Sequence, residues 1–211
     1  MIVLHLRLKC YVFLIYIKNK MNFNFNGVIY RTASNWLGNV NVAEFQSRPI
    51  NYLEIGTFYG ANLFSVVDAY CSNPDSKAFC IDPWMDYDQY DEYIGSQDKI
   101  YSTWRSNLEN FPRKNKIVER RGFSRDEIVK FDDDFFDIIY IDGNHNPDFV
   151  LEDAVLSFRK LKVGGYLIFD DYTWAGQDGP QPGVDGFMKG YWKRIQYLGC
   201  VESQVFLKKM N

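Results

Sequence analysis

Carboxylates recur at one kind of place in this sequence, at the end of short apolar runs or just after them. The stretches are Glu54-Ile55-Gly56-Thr57-Phe58-Tyr59-Gly60, Asp82-Pro83-Trp84, Gly122-Phe123-Ser124, Asp142-Gly143-Asn144-His145 and Asp170-Asp171-Tyr172. Four of the five carry an acid. Neighbouring parallel strands lie about 4.8 Å apart, so Asp142 and Asp170-Asp171, at the ends of adjacent strands, can converge on one point. Three hard oxygen ligands suit magnesium or calcium, whereas zinc would want nitrogen or sulfur. Glu54-x-Gly56-x-x-x-Gly60 is spaced as a strand-to-helix turn, in which Gly56 permits close approach of a ligand and Gly60 a tight helix start. Glu54 suits a cationic or amino-bearing ligand, and Asp82, 22 residues after Gly60, can accept both hydroxyls of a ribose. Plainer roles fit the same residues: turn glycines, a helix cap at Asp82, caps at Asp142 and His145, and an exposed turn at Asp170-Asp171.

The elements that must position these residues follow from apolar patterning. Strands are expected at Asn51–Ile55, Ala78–Ile81, Ile117–Glu119, Asp137–Ile141 and Tyr166–Phe169. Helical spacing runs through Leu63, Val66, Val67 and Tyr70. A second helix carries Phe149, Val150, Ala154, Val155, Phe158 and Leu161 on one face, with Asn146 as its cap and Pro147 in its first turn. Gly164-Gly165 is expected to end it. Strands alternating with helices imply a parallel α/β sheet with right-handed crossovers, and its ligands sit beyond the carboxyl ends of the strands. Ile195–Leu198 and Gln204–Lys208 read as a closing antiparallel pair. Tyr87, Tyr90 and Tyr93 recur every three residues, fitting a lid over the site or a solvated acidic helix. Thr173 to Phe187, rich in glycine and proline, reads as a loop at the mouth of the site.

These motifs bear a family resemblance. YLEIGTFYG followed by CIDPW resembles motifs one and two of class I S-adenosylmethionine-dependent methyltransferases. FDIIYIDGNH and LKVGGYLIFDDY resemble the small-molecule O-methyltransferase branch, which includes catechol-type, caffeoyl-coenzyme-A-type and sugar or macrolide enzymes. The resemblance covers roughly residues 50 to 190. It implies a Rossmann-like three-layer sandwich, with a seven-stranded, mostly parallel sheet and a reversed last strand. It also implies that Gly56, Thr57 and Phe58 lie against the methionine part of the cofactor and Glu54 near its amino group. Asp82 would hold the ribose, Trp84 would pack near the adenine, and Gly122, Phe123 and Ser124 would line the adenine. Gly60 completes the first motif, which departs from the commonest form in lacking its middle glycine. In the metal-dependent branch, Asp142, Asp170 and Asp171 hold the ion, with Asp142 also counted among the catalytic groups. His145 stands where relatives carry a catalytic lysine or histidine. A hydroxyl is a poor nucleophile until it loses its proton; a metal lowers its pKa and a nearby imidazole can take the proton.

The resemblance thus implies methyl transfer from S-adenosylmethionine to a hydroxyl of a small acceptor, such as a sugar or glycan unit, assisted by Mg2+. The rivals are a metal-independent methyltransferase acting on nitrogen or a macromolecule, and a non-catalytic cofactor-binding subunit. A nicotinamide oxidoreductase is disfavoured because G-x-G-x-x-G is absent. The net charge of -3 argues against nucleic acid as a partner. The 211 residues suffice for one full domain, set at 21–211. Residues 1–20 form an N-terminal extension that reads first as a non-functional segment, next as a packed strand or helix, and last as a membrane or export signal. The apolar run from Cys10 to Ile17 is short of the ~20 residues a bilayer span needs, so stable membrane insertion is not expected. Cys10, Cys71, Cys80 and Cys200 lie far apart in sequence and read as reduced thiols of a cytoplasmic protein. A homodimer is compatible with all of this.

Overall fold

Strand-to-helix alternation places every candidate residue at one edge of a single sheet. The computed structural model describes residues 21–36, 38–86 and 93–211. In chain order the main elements are α1 (Val42–Gln46), β1 (Asn51–Ile55), α2 (Ala61–Tyr70), β2 (Lys77–Asp82) and α3 (Gln97–Asn110). There follow β3 (Ile117–Arg121), α4 (Ser124–Glu127), β4 (Phe136–Ile141), α5 (Pro147–Lys160), β5 (Leu161–Phe169), α6 (Gln181–Tyr191), β6 (Ile195–Val201) and β7 (Gln204–Lys209). The strand order is β3-β2-β1-β4-β5-β7-β6. The first five strands run parallel and β7 is antiparallel to both neighbours, so the last strand is the reversed one. The seven-stranded α/β sandwich expected from the family resemblance is therefore observed.

The central strands, β1, β4 and β7 above all, are buried on both faces because their residues alternate between two apolar layers. Tyr52, Ile138, Tyr140 and Ile168 face a core built with Trp36, Phe64 and Trp104. Leu53, Ile55, Ile139, Ile141 and Leu167 face a second core with Val150, Phe158 and Phe187. Helices α1, α2 and α3 cover the first face; α5 and α6 cover the second.

Strand order reverses between β1 and β4, which pair with each other and with β2 and β5 respectively. Beyond this switch the turns stay tied to the ladder. Gly56 N–H donates to Ile81 O at 2.9 Å, Asp142 N–H to Ile55 O at 2.8 Å and Asp170 N–H to Ile141 O at 3.0 Å. The candidate carboxylates are thus held in register by their own backbones.

Three expectations need correction. Gly164-Gly165 does not cap the helix: α5 stops at Lys160 and the chain enters β5 directly. The glycine pair instead accommodates a register shift against β4, with Gly164 at φ +81°. Asn146 sits at the start of α5, but its side chain makes no capping bond; the Asn144 side chain accepts the Asn146 N–H at 2.8 Å. The loop after β5 is shorter than its composition suggests, because Pro180 begins a helical turn and Gln181–Tyr191 is α6. Tyr87, Tyr90 and residues 1–20, including Cys10, lie outside the described residues. Among the described residues no helix is long and apolar enough to cross a membrane.

Candidate active site

A cavity of about 810 Å³ opens at the carboxyl ends of β1, β2, β4 and β5. It is lined by Glu54, Gly56, Thr57, Phe58 and Asp82 from the first two strand ends. Phe123 and Ser124 line it beyond β3, and Asp142, His145, Asp170 and Asp171 beyond β4 and β5. Gly60, Trp84 and Gly122 are not on its wall.

The glycine turn is shaped by its own protein neighbours. Gly56 has φ +81°, and a Cβ there would lie 1.8 Å from the Asp142 carbonyl oxygen, so only glycine lets the β1 and β4 turns meet. Gly60, at φ +89°, begins α2, and a Cβ there would lie 2.5 Å from the Trp104 ring. Asp82 is the clasp of this turn. Its Oδ2 accepts the N–H groups of Thr57 and Phe58, both at 2.9 Å, and its Oδ1 accepts that of Trp84 at 2.8 Å. Phe58 and Trp84 both have positive φ, a strained backbone that these bonds hold in place. Oδ2 already accepts two donors, whereas Oδ1 accepts one and keeps a lone pair for a ribose hydroxyl. Trp84 itself turns inward: its ring stacks on Trp104, and its indole N–H donates to Phe58 O at 3.0 Å. It braces the turn from the core.

Glu54 is 1% exposed and forms part of the cavity floor. The Tyr52 hydroxyl donates to its Oε2 at 2.6 Å and the Asn62 amide at 2.8 Å. Burial outweighs these bonds and pushes its carboxyl up to about 8. With its NH2 on Glu54, Asn62 leaves Oδ1 buried and without a hydrogen-bond partner among the described residues. A buried acid and an orphaned acceptor on one wall fit an ammonium group. Asn62 carried no signal in the sequence beyond its place in a helical run.

At the other end Asp142, His145 and Asp171 bring one ligand atom each within 4.8 Å of one another. His145 Nε2 lies 3.5 Å from Asp142 Oδ1 and 3.8 Å from Asp171 Oδ2. Burial lowers the imidazole's pKa, but the hydrogen bond with Asp142 and the surrounding carboxylate charges reverse this and leave it raised. Burial first, and then the charge of Asp170, push the Asp142 carboxyl up to about 7, against the lowering effect of His145. Asp171 has φ +50°, another strained position. Asp170 does not join the His145 group. Its Oδ1 accepts the Asp171 N–H at 2.8 Å and Arg31 Nε at 3.2 Å, and its Oδ2 accepts the buried Tyr140 hydroxyl. Arg31, from the irregular segment before α1, was invisible to motif reading because it is 139 residues from its partner.

Residues 53–172 match the protein family described as "Methyltransferase domain". An uncharacterized protein of Acanthamoeba polyphaga mimivirus, R132, is 28% identical over 140 residues, which cover 63% of this chain and 58% of that protein. The chain thus spans 58% of the length of this curated relative. Cofactor-bound Rv0187 from MTB superposes with a TM-score of 0.63 at 12% identity, covering 96% of this chain and 91% of that one. MycE methyltransferase of the mycinamycin biosynthetic pathway, solved with Mg, SAH and mycinamycin VI, superposes with a TM-score of 0.52 at 16% identity. That match covers 80% of this chain and 47% of MycE. At such identities the two structures speak for the fold. The family match spans the strand ends from β1 to the Asp170-Asp171 pair, and on that ground the chain belongs to the methyltransferase-domain family.

Proposed function

We propose that this protein transfers a methyl group from S-adenosylmethionine to a hydroxyl of a small acceptor, a sugar or glycan unit, with a divalent ion at the carboxylate cluster. The observation that carries this reading is that one cavity joins two chemically different ends. The Glu54–Asn62–Asp82 end suits an amino group and a ribose. The Asp142–His145–Asp171 end suits deprotonation of a hydroxyl. MycE, solved with Mg, SAH and mycinamycin VI, supports a small-molecule acceptor and a divalent ion by analogy of fold alone.

The chain's own residues divide the work. Glu54 and the free Asn62 Oδ1 hold the cofactor's amino group, and Asp82 holds its ribose. Gly56, Thr57 and Phe58 shape the wall between them, and Phe123 and Ser124 border the adenine end. His145 Nε2 takes the hydroxyl proton, and Asp142 and Asp171 stabilise the imidazolium that results. The carboxylates of Asp142, Asp170 and Asp171 would hold a hard cation such as Mg2+, because hard oxygen donors fit it. When bound, the ion lowers the pKa of the acceptor hydroxyl, and the sulfonium cofactor supplies an electrophilic methyl. Orientation supplies much of the remaining rate.

A protein of net charge -3 with reduced thiols at Cys71, Cys80 and Cys200 suits a cytoplasmic setting and a small-molecule partner. The test is a screen with methyl-tritiated S-adenosylmethionine against sugars, glycosides and catechols, with and without EDTA. Label should enter a hydroxylated acceptor and be lost on chelation. Label entering only amines or RNA would refute the acceptor class, and chelator-resistant transfer would refute the role of the ion.

A further inference from the structure

The three carboxylates of the proposed ion site are not equally available. Asp142 and Asp171 face His145, whereas both oxygens of Asp170 are engaged. Arg31 is the shared partner of the pair: Nε lies 3.2 Å from Asp170 Oδ1 and Nη2 3.4 Å from Asp171 Oδ1. Its guanidinium lines the cavity at the end where a hydroxyl would be deprotonated.

We propose that Arg31 is a displaceable counter-ion: it occupies Asp170 and Asp171 while the carboxylate cluster is ion-free and yields them to a divalent cation. This rests on the ion reading given above. A guanidinium and a divalent cation on the same two carboxylates repel each other, and the cation's higher charge prevails. Asp170 is tied on its other side to Tyr140, on β4, and so is fixed in place when Arg31 leaves. The mobile partner is therefore the arginine. Its departure also affects the cavity wall, because Val28 and Tyr30 of the same segment line the cavity and the Tyr30 hydroxyl lies 3.3 Å from that of Tyr93. Ion binding is thereby coupled to the shape of the acceptor end.

The experiment uses Mn2+ alone, followed by electron paramagnetic resonance of the free ion, on the full chain. Removing a competing unit charge predicts that Arg31→Ala and Arg31→Gln bind Mn2+ at least roughly tenfold more tightly than wild type. Asp171→Asn should weaken binding, which assigns the ion to this cluster. In wild-type protein, hydrogen exchange in peptides covering residues 28–32 should accelerate when Mn2+ is added. Equal or weaker Mn2+ binding by both Arg31 variants, or unaltered exchange on saturation of the wild type, would overturn the proposal while leaving the ion site standing. Absence of Mn2+ binding in every variant would overturn both.

Discussion

Asp82→Ala tests whether one carboxylate both builds the cofactor wall and contacts the ribose. The side chain accepts three backbone N–H groups, at 2.9, 2.9 and 2.8 Å, from residues on two different turns. A hydrogen bond to a charged acceptor contributes about 1.5–3 kcal/mol, and the freed donors at the cavity edge recover part of this from water. The net loss should be about 2–4 kcal/mol, within the 5–15 kcal/mol of an ordinary domain, so the variant still folds. Without the clasp, Phe58 and Trp84 relax from their positive φ and the wall moves. S-adenosylhomocysteine should therefore bind roughly a hundredfold more weakly, from the lost ribose bond plus the displaced wall. Asp82→Asn keeps one acceptor oxygen and should lose about tenfold in affinity. Urea unfolding and titration calorimetry measure the two effects separately. An Asp82→Ala protein with wild-type stability and wild-type affinity would refute both roles.

Three further outcomes follow from the same geometry. Gly56→Ala forces a Cβ to 1.8 Å from the Asp142 carbonyl at φ +81°, so it should cost at least about 3 kcal/mol in urea unfolding; a stable variant would mean the turn can re-form. Glu54 holds its proton up to about 8, and an ammonium ligand needs the carboxylate, so binding releases a proton. Affinity for S-adenosylhomocysteine should accordingly fall by up to about tenfold per unit as pH drops below that value, and Glu54→Gln should flatten the profile; a flat wild-type profile from pH 6 to 8 would contradict it. His145→Ala should lower methyl transfer to an acceptor found by screening by about 10²–10⁴-fold with unchanged cofactor affinity, and full activity would remove it from the chemistry.

The parts of the fold visible in the sequence were those encoded locally. NYLEI, DIIYI and YLIF are apolar runs whose strands are buried on both faces, and each ends where a carboxylate or glycine turn begins. That local rule was enough to locate Glu54, Asp82, Asp142 and Asp170-Asp171 on one edge. What composition could not encode was which oxygen meets which partner. Asp170 is drawn to Tyr140 and Arg31, contacts spanning 30 and 139 residues, and so stands apart from Asp142 and His145. The family resemblance puts Trp84 near the adenine, yet the stack on Trp104, 20 residues away, turns it inward. Gly164-Gly165 has the look of a helix stop because a bulge and a left-handed cap both favour glycine. Asn62 is one of several polar residues in α2, beside Ser65 and Asp68, and only its approach to Glu54 gives it a part in the site.

Titration of the purified protein with S-adenosylmethionine and S-adenosylhomocysteine, with NAD as the control, tests the central claim most directly. The expected result is one site per chain, a dissociation constant in the micromolar range for both methyl-cycle ligands, no measurable NAD binding, and marked weakening in Asp82→Ala. Tight NAD binding, or no binding of either sulfur ligand by the folded wild-type protein, would contradict it.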